Sequence, residues 1–167
     1  EEPRGLNRSY SALMIAAKNG YTATVKQLIA AGAPVNYQDS KDGFTALMWA
    51  CSRATLDTVE ALLNAGADPN IQNREDGVTA LLLTARKNSS AIGSALLKAG
   101  AKPNVAEEIH GITPMIEVAS HGSDVFIRAL IRSGGDVNIQ NKHGATALMW
   151  GASSGHRDVV RYLMKAG

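Results

Sequence analysis

Apolar residues occur along the chain in short groups with helical spacing, and stretches rich in Gly, Asn and Asp separate these groups. Five of the groups open in the same way, with Ser or Thr, then a small residue, then Leu or Met: Ser11-Ala12-Leu13, Thr45-Ala46-Leu47, Thr79-Ala80-Leu81, Thr113-Pro114-Met115 and Thr146-Ala147-Leu148. Successive copies are 34, 34, 34 and 33 residues apart. A fixed period of this length predicts a repeat architecture.

Each repeat is interpreted as two helices followed by a turn. The Ser or Thr is suited to cap the first helix, because its side-chain oxygen can accept a free backbone N–H. Gly20, Gly122 and Gly155 are suited to a left-handed cap at the end of that helix. After the second helix comes a polar loop, whose turns are expected to be stabilised by Asn36, Asn70, Asn104 and Asn138. Because one unit cannot bury its apolar faces alone, the units are expected to stack.

This pattern resembles the ankyrin-repeat family over residues 10–167. The resemblance is carried by Thr113-Pro114, Ala16-Ala17, Gly155-His156, Val159-Val160 and Gly66-Ala67-Asp68. A TPR array has the same period, but it lacks the Gly-Ala-Asp loop, and its usual Trp and Tyr signature is absent. The resemblance implies an all-α ankyrin-repeat solenoid of stacked helix-turn-helix units joined by β-hairpin-like loops. We expect one domain over residues 1–167, with repeats at 10–43, 44–77, 78–111, 112–144 and 145–167, the last of them incomplete.

Several copies depart from the family pattern. The His that normally follows the Leu is replaced by apolar residues that are expected to pack, namely Met14, Met48, Leu82, Ile116 and Met149. Ala54 and Asn88 stand where the family has Gly, and an alanine with positive φ would cost on the order of 1 kcal/mol. Gly93 falls inside a helix, where it costs about 1 kcal/mol relative to Ala. We therefore expect repeat three to open most readily. The first three loops have one extra residue and are expected to differ from the fourth.

The position of a residue within its repeat predicts whether it can bind a partner. If the Ser or Thr is position one, positions 3, 6 and 7 share a core-facing side of the first helix, and positions 5, 8 and 9 share another side. Candidate binding residues occupy this second side or directly precede the Ser or Thr: Tyr10, Lys18, Phe44, Trp49, Arg53, Arg86, Lys87, Glu117, His121 and Trp150. The ankyrin resemblance places them on the concave groove, where family members usually engage partners. A protein or peptide with apolar anchors and acidic residues would complement them.

Three functions remain open at this point. The leading one is a non-catalytic scaffold or adaptor that binds another protein. The second is a ligand-sensing array for an oligonucleotide or nucleotide, in which the cations would meet phosphates while Phe44 and Trp49 stack on bases. The third is a structural spacer within a longer array. The tryptophans could also simply cover the inner helices, and the cations could form an ordinary solvated face.

Composition and charge bear on the three candidate functions and on the compartment in which the protein acts. A net charge of +2 does not by itself imply nucleic acid, and no apolar run reaches the roughly 18 residues of a membrane span. Cys51 is the only cysteine, which excludes an internal disulfide and favours an intracellular compartment, cytoplasmic or nuclear. No nucleophile, phosphate-binding or metal-binding motif occurs, so we expect no enzymatic activity, cofactor or metal. We see no signal peptide, and the apolar end of repeat five leads us to expect a longer parent array.

Overall fold

A computed structural model of the protein describes residues 10–167, which form ten α-helices and no β-strand. The helices are α1 (Ala12–Asn19), α2 (Thr22–Ala30), α3 (Ala46–Arg53), α4 (Leu56–Asn64), α5 (Ala80–Arg86), α6 (Ser90–Lys98), α7 (Pro114–His121), α8 (Asp124–Arg132), α9 (Ala147–Ser153) and α10 (Arg157–Ala166). The all-α class predicted from the sequence is confirmed.

The helices stack in two layers. The odd-numbered helices pack on one another in chain order, the even-numbered helices do the same, and each odd helix packs on the even helix that follows it. One continuous cluster of buried side chains runs through the stack. It includes the repeated residues Leu13, Leu47, Leu81 and Met115, each at most 1% exposed. The regular spacing of the apolar groups therefore builds a single core from five short helix pairs.

The predicted helix caps are present. The five Ser and Thr residues each accept the backbone N–H of the third residue that follows, at 3.2–3.4 Å: Ser11, Thr45, Thr79, Thr113 and Thr146. Gly20, Gly122 and Gly155 have positive φ angles, as expected for left-handed caps. Ala54 and Asn88 occupy the same position with φ of 57° and 52°. The alanine therefore does adopt the conformation that is costly for a residue with a Cβ.

Each of the four loops is closed by a backbone hydrogen bond between its two ends, and the predicted difference between the loops is found. The first three bonds span five residues, as from Asn73 N–H to the Val78 carbonyl, whereas the fourth runs from Asn141 N–H to the Ala145 carbonyl and spans four. Neighbouring loops are also joined, for example by the 2.9 Å bond from Arg74 N–H to the Asp42 carbonyl. The loops thus form a second line of contact along the array, beside the helices.

Three of the four loop asparagines bond to the next repeat rather than within their own turns, which corrects the expectation from the sequence for Asn36, Asn70 and Asn104. The Asn70 amide donates to the Gly100 carbonyl at 3.0 Å, and its oxygen accepts the Lys102 N–H at 2.8 Å. Asn36 and Asn104 make the same pair of bonds to the next repeat. These residues therefore link consecutive repeats. The sequence hid this role because the partners are 30 and 32 residues away.

Burial of the apolar residues that replace the family's His depends on whether a following repeat covers them. Met14, Met48, Leu82 and Ile116 are buried as expected, but Met149 in the last repeat is 56% exposed, because no later repeat covers it within the described residues. Cys51 is fully buried, and burial raises the pKa of its thiol to about 12, although a hydrogen bond with Thr84 lowers it in part. This thiol is packed in the core and is held in its unreactive protonated form.

Candidate interaction face

All ten candidate residues lie in the described part of the chain, on the odd-numbered helices or at their ends. None of them is fully buried. We call the surface that they form the odd-helix face. Residues three and four apart lie on the same side of a helix. In each odd-numbered helix the apolar residues with this spacing face the core, and the candidate residues therefore lie on a different side.

Four of the candidates meet at the first two repeats. The Tyr10 ring lies edge-on to the Trp49 ring with centroids 5.8 Å apart, and the Phe44 ring is 5.0 Å from it in a tilted arrangement. Lys18 places its Nζ atom 4.3 Å from the Trp49 ring centroid and 5.2 Å from that of Tyr10. We call these four residues the aromatic cluster. A cation over a tryptophan face is attracted by the negative charge of the ring's π-system.

The two tryptophans differ in how much of their surface is available. Trp49 is half-buried, and its indole Nε1–H is buried without a hydrogen-bond acceptor among the described residues. Trp150 is 40% exposed. Part of the Trp49 ring therefore covers the inner helices, whereas Trp150 presents a larger surface to solvent.

Three cations extend the face across the middle repeats. Arg53 ends α3, Arg86 ends α5, and Lys87 caps α5. All three are exposed, and none forms an ion pair with another residue in the range 10–167. Their position also suits the helices, because positive charge is favourable near the carboxyl end of a helix.

The other end of the face contains an acidic residue and the second tryptophan. Glu117 lies 3.9 Å from His121, measured from Oε1 to Nδ1, and the same ring nitrogen is 2.8 Å from the Glu117 backbone oxygen. A depression of about 230 Å³ is lined by Ile112, Ile116, Glu117, Ser120 and Trp150. A second depression, of about 200 Å³, is lined by Ala145, Met149, Trp150 and Ser153.

The candidates thus form two groups rather than one site. Tyr10, Lys18, Phe44 and Trp49 are in contact at the first two repeats, and Glu117, His121 and Trp150 are close together at the last two. Arg53 lies on α3 together with Trp49, and Arg86 and Lys87 lie at the end of α5, so these three cations extend from the first group toward the second.

Two residues that line the depressions beside Trp150 were not among the candidates predicted from the sequence. Met149 was assigned to the core, but it is exposed and lines the second depression. Its place in the last repeat was the signal that could have identified it. Ser120 lies at position 8 of its repeat but is not among the candidates, although it lines the depression beside Trp150. A short side chain such as serine makes no conspicuous contact of its own, and its effect is to leave room for the depression beside Trp150.

The described residues contain neither a candidate metal site nor a candidate membrane-spanning helix. Over residues 10–167, no group of three or more His, Cys, Asp or Glu side chains could hold a metal ion. None of the helices described here is long and apolar enough to cross a membrane.

Comparison with known proteins agrees with the helix pairs and their spacing. A search of curated proteins finds no match to this chain. A family model described as ankyrin repeats (3 copies) matches residues 13–107 and again residues 81–167. Ankyrin repeats are generally protein–protein interaction modules and are typically non-catalytic. Since the two matches together span almost the whole sequence, the chain belongs to the ankyrin-repeat family.

Proposed function

We propose that this chain is a non-catalytic scaffold or adaptor module that binds a partner protein or peptide on the odd-helix face. The observation that carries the proposal is the aromatic cluster, in which the partly exposed Trp49 ring contacts the rings of both Tyr10 and Phe44. Tryptophan, tyrosine and arginine are the residues most enriched at interface hot spots. Stacked repeats also curve to form extended concave surfaces that are suited to binding.

The charge on this face indicates the chemistry of the partner. Lys18, Arg53, Arg86 and Lys87 place four cations on neighbouring helices, and the last three are not paired within the described range. A partner segment with an apolar anchor for the aromatic cluster and acidic residues for α3 and α5 would complement it. Such charges mainly accelerate association and select among partners, while the buried apolar contact provides most of the affinity.

Two other functions are less well supported. An oligonucleotide needs open aromatic faces on which its bases can stack. Here Lys18 covers the Trp49 ring, and Tyr10 and Phe44 both contact that ring. A structural spacer would not require an aromatic cluster at the surface. We therefore place protein binding first and treat the other two functions as outcomes of the test.

The test is a screen of the chain against a display library of disordered peptides. We expect selected peptides to bind the original chain and to lose at least about tenfold in affinity with Trp49→Ala/Arg53→Glu, since hot-spot truncations cost 1.4 kcal/mol or more. A second variant, Arg53→Glu/Arg86→Glu, changes only exposed residues and so preserves the packing of Trp49. Tyr21→Ala/Lys26→Glu is the matched control, because both residues are exposed at or on α2, away from this face.

The outcomes separate the three functions. Peptides that bind all variants equally well would contradict binding on the odd-helix face. Binding of a thymidine oligonucleotide that falls steeply with salt, with no peptide selected, would indicate a nucleic-acid array instead. If neither probe binds, the protein-binding proposal fails for short segments and the spacer function is favoured.

We further propose that the module acts inside the cell, in the cytoplasm or nucleus. The support for this is the free thiol of Cys51, which is buried and unpaired. Free thiols are usual in reducing compartments, whereas secreted proteins tend to pair them.

A further inference from the structure

Trp49 and Trp150 occupy the same position of their repeats, the fifth counted from the capping Thr, but their surroundings differ. At Trp49 the chain supplies its own cation, because Lys18 of the preceding repeat places Nζ 4.3 Å from the ring centroid. At Trp150 the surface beside the ring is a depression of about 230 Å³. The two tryptophans therefore offer an internal comparison between a filled and an unfilled site.

The residues that line the two sites correspond through the repeat. Each tryptophan faces the preceding repeat. The residue before the capping Ser or Thr of that repeat is Tyr10 for Trp49 and Ile112 for Trp150. Four positions further on, the pair is Met14 and Ile116. The two positions that differ in chemistry carry Ile15 and Lys18 in the first repeat, and Glu117 and Ser120 in the fourth. At Trp150 the lysine is thus replaced by a short serine, and a carboxylate stands where the first repeat has an isoleucine.

We propose that the depression between Trp150 and Glu117 binds a lysine side chain supplied by the partner. The ring would attract the ammonium group as Trp49 attracts that of Lys18, and the Glu117 carboxylate would add an ion pair. The methylene stem of the lysine would pack on Ile112 and Ile116. The Glu117 side chain is 24% exposed, and the Nδ1 atom of the neighbouring His121 ring is 3.9 Å from its Oε1 atom. The carboxylate is therefore accessible and only weakly engaged.

This inference rests on the proposed function and adds a direction to it. Cations lie on α1, α3 and α5, whereas Glu117 on α7 is the acidic candidate of the face. A bound segment would then have its acidic residues over the first three repeats and a lysine over the last two. The opposite orientation would bring like charges together at both ends, which is unfavourable.

The lysine site can be tested without a known partner. The probe is Nα-acetyl-lysine methylamide at pH 7.5, and the norleucine analogue is its neutral counterpart. The readout is the NMR signal of the Trp150 indole N–H, assigned with Trp49→Phe. We expect the lysine probe to shift this signal with millimolar affinity and the norleucine probe to shift it much less. Glu117→Gln should weaken the lysine probe about threefold, the usual size of an exposed ion pair.

Ser120→Lys gives an independent test, because it installs at the fourth repeat the cation that Lys18 provides at the first. We expect this variant to reproduce the shift of the Trp150 signal and to abolish probe binding. Ser133→Lys is the matched control, since it adds the same charge at an exposed residue that caps α8, away from the odd-helix face. It should retain probe binding.

Equal shifts with both probes, or probe binding that survives Ser120→Lys, would overturn the lysine site. Neither result would affect the peptide screen, which depends on residues of the first three repeats. Conversely, a failed screen with a positive probe titration would leave the lysine site standing and remove only the wider function. The two proposals can therefore fail separately.

Discussion

The phenyl ring of Phe126 occupies the space that a side chain at residue 93 would need. A Cβ atom on Gly93 would lie 2.1 Å from Cζ and 2.2 Å from Cε2 of that ring, far inside contact distance. Gly93 is in α6 of repeat three and Phe126 is in α8 of repeat four, and the ring is fully buried. The glycine therefore weakens its own helix but allows the next repeat to insert a large apolar side chain against it.

Replacement of Gly93 by alanine is expected to destabilise the protein, although alanine is the better helix former. Overpacking at this close approach should cost about 2–3 kcal/mol, so after the roughly 1 kcal/mol gain in helix propensity the free energy of unfolding should fall by about 1–2 kcal/mol. Urea denaturation followed by circular dichroism measures the change. Gly151→Ala is the matched control, since a Cβ there would be 3.2 Å from Val159 Cγ1 and should cost less. Gly93→Ala as stable as the original chain would show that the ring moves aside freely.

Ala54→Gly is expected to stabilise the protein. The alanine has a φ of 57°, a conformation that glycine adopts without steric cost. The gain in the free energy of unfolding should be on the order of 1 kcal/mol. Ala31→Gly is the control, because Ala31 ends α2 with a φ of −80° and should gain nothing. Equal effects of the two substitutions in urea denaturation would contradict the assignment of strain to Ala54.

The sequence was sufficient for the parts of the molecule that repeat. The period defined the stacking, and the position of each Ser or Thr located the helix starts, because both depend on local chemistry. Contacts between repeats were not accessible in this way. The fit of Phe126 against Gly93 depends on side-chain shape across two helices, and the sequence alone suggested only a propensity cost. Likewise, Lys18 and Trp49 could be assigned to one face, but the seating of the ammonium over the ring depends on how closely α1 and α3 pack.

Asn70→Ala is expected to loosen the connection between repeats two and three. It removes two hydrogen bonds to the next repeat, at 3.0 and 2.8 Å, each contributing a net stabilisation of about 0.5–1.5 kcal/mol. Both bonds are exposed, so the total loss in urea denaturation should be about 1 kcal/mol. Asn138→Ala is the matched control, because the Asn138 side chain makes no such bond within residues 10–167. Similar losses for both variants would mean that the asparagines act within their own turns after all.

Glu107 is expected to make stability depend on acidic pH. Glu107 is 3% exposed, and this burial raises the pKa of its carboxyl group. The backbone N–H groups of Ile112, His110 and Ile109 donate hydrogen bonds to the carboxylate, and the His110 ring lies nearby. These interactions more than offset the burial, so the pKa is held below its ordinary value of 4.5. A lowered pKa in the folded state means that the ionised group stabilises the fold. That contribution is complete above about pH 4.5 and is lost as the pH falls through the lower folded value.

Glu107→Gln should therefore lower stability at pH 7 and flatten its dependence on pH below about 5. An amide is compatible with this place in the loop, because Asn73 and Asn141 hold the equivalent position of other loops and accept backbone N–H groups there. Urea denaturation at a series of pH values measures the effect. Glu108→Gln, at an exposed neighbour, is the control and should keep the original slope. A profile for Glu107→Gln parallel to that of the original chain would exclude this carboxylate as the source.

Repeat three is expected to open before its neighbours. Asn88 ends its first helix with a φ of 52°, and Gly93 lies in the middle of its second, so both of its helices carry a backbone cost. Amide hydrogen exchange in α5 and α6 should be faster than in α3, α4, α7 and α8, since local opening follows local stability. Asn88→Gly relieves one of the costs and should slow exchange selectively in this repeat. If α6 instead exchanges as slowly as α4 and α8, the insertion of Phe126 must stabilise repeat three by more than the glycine in its helix weakens it.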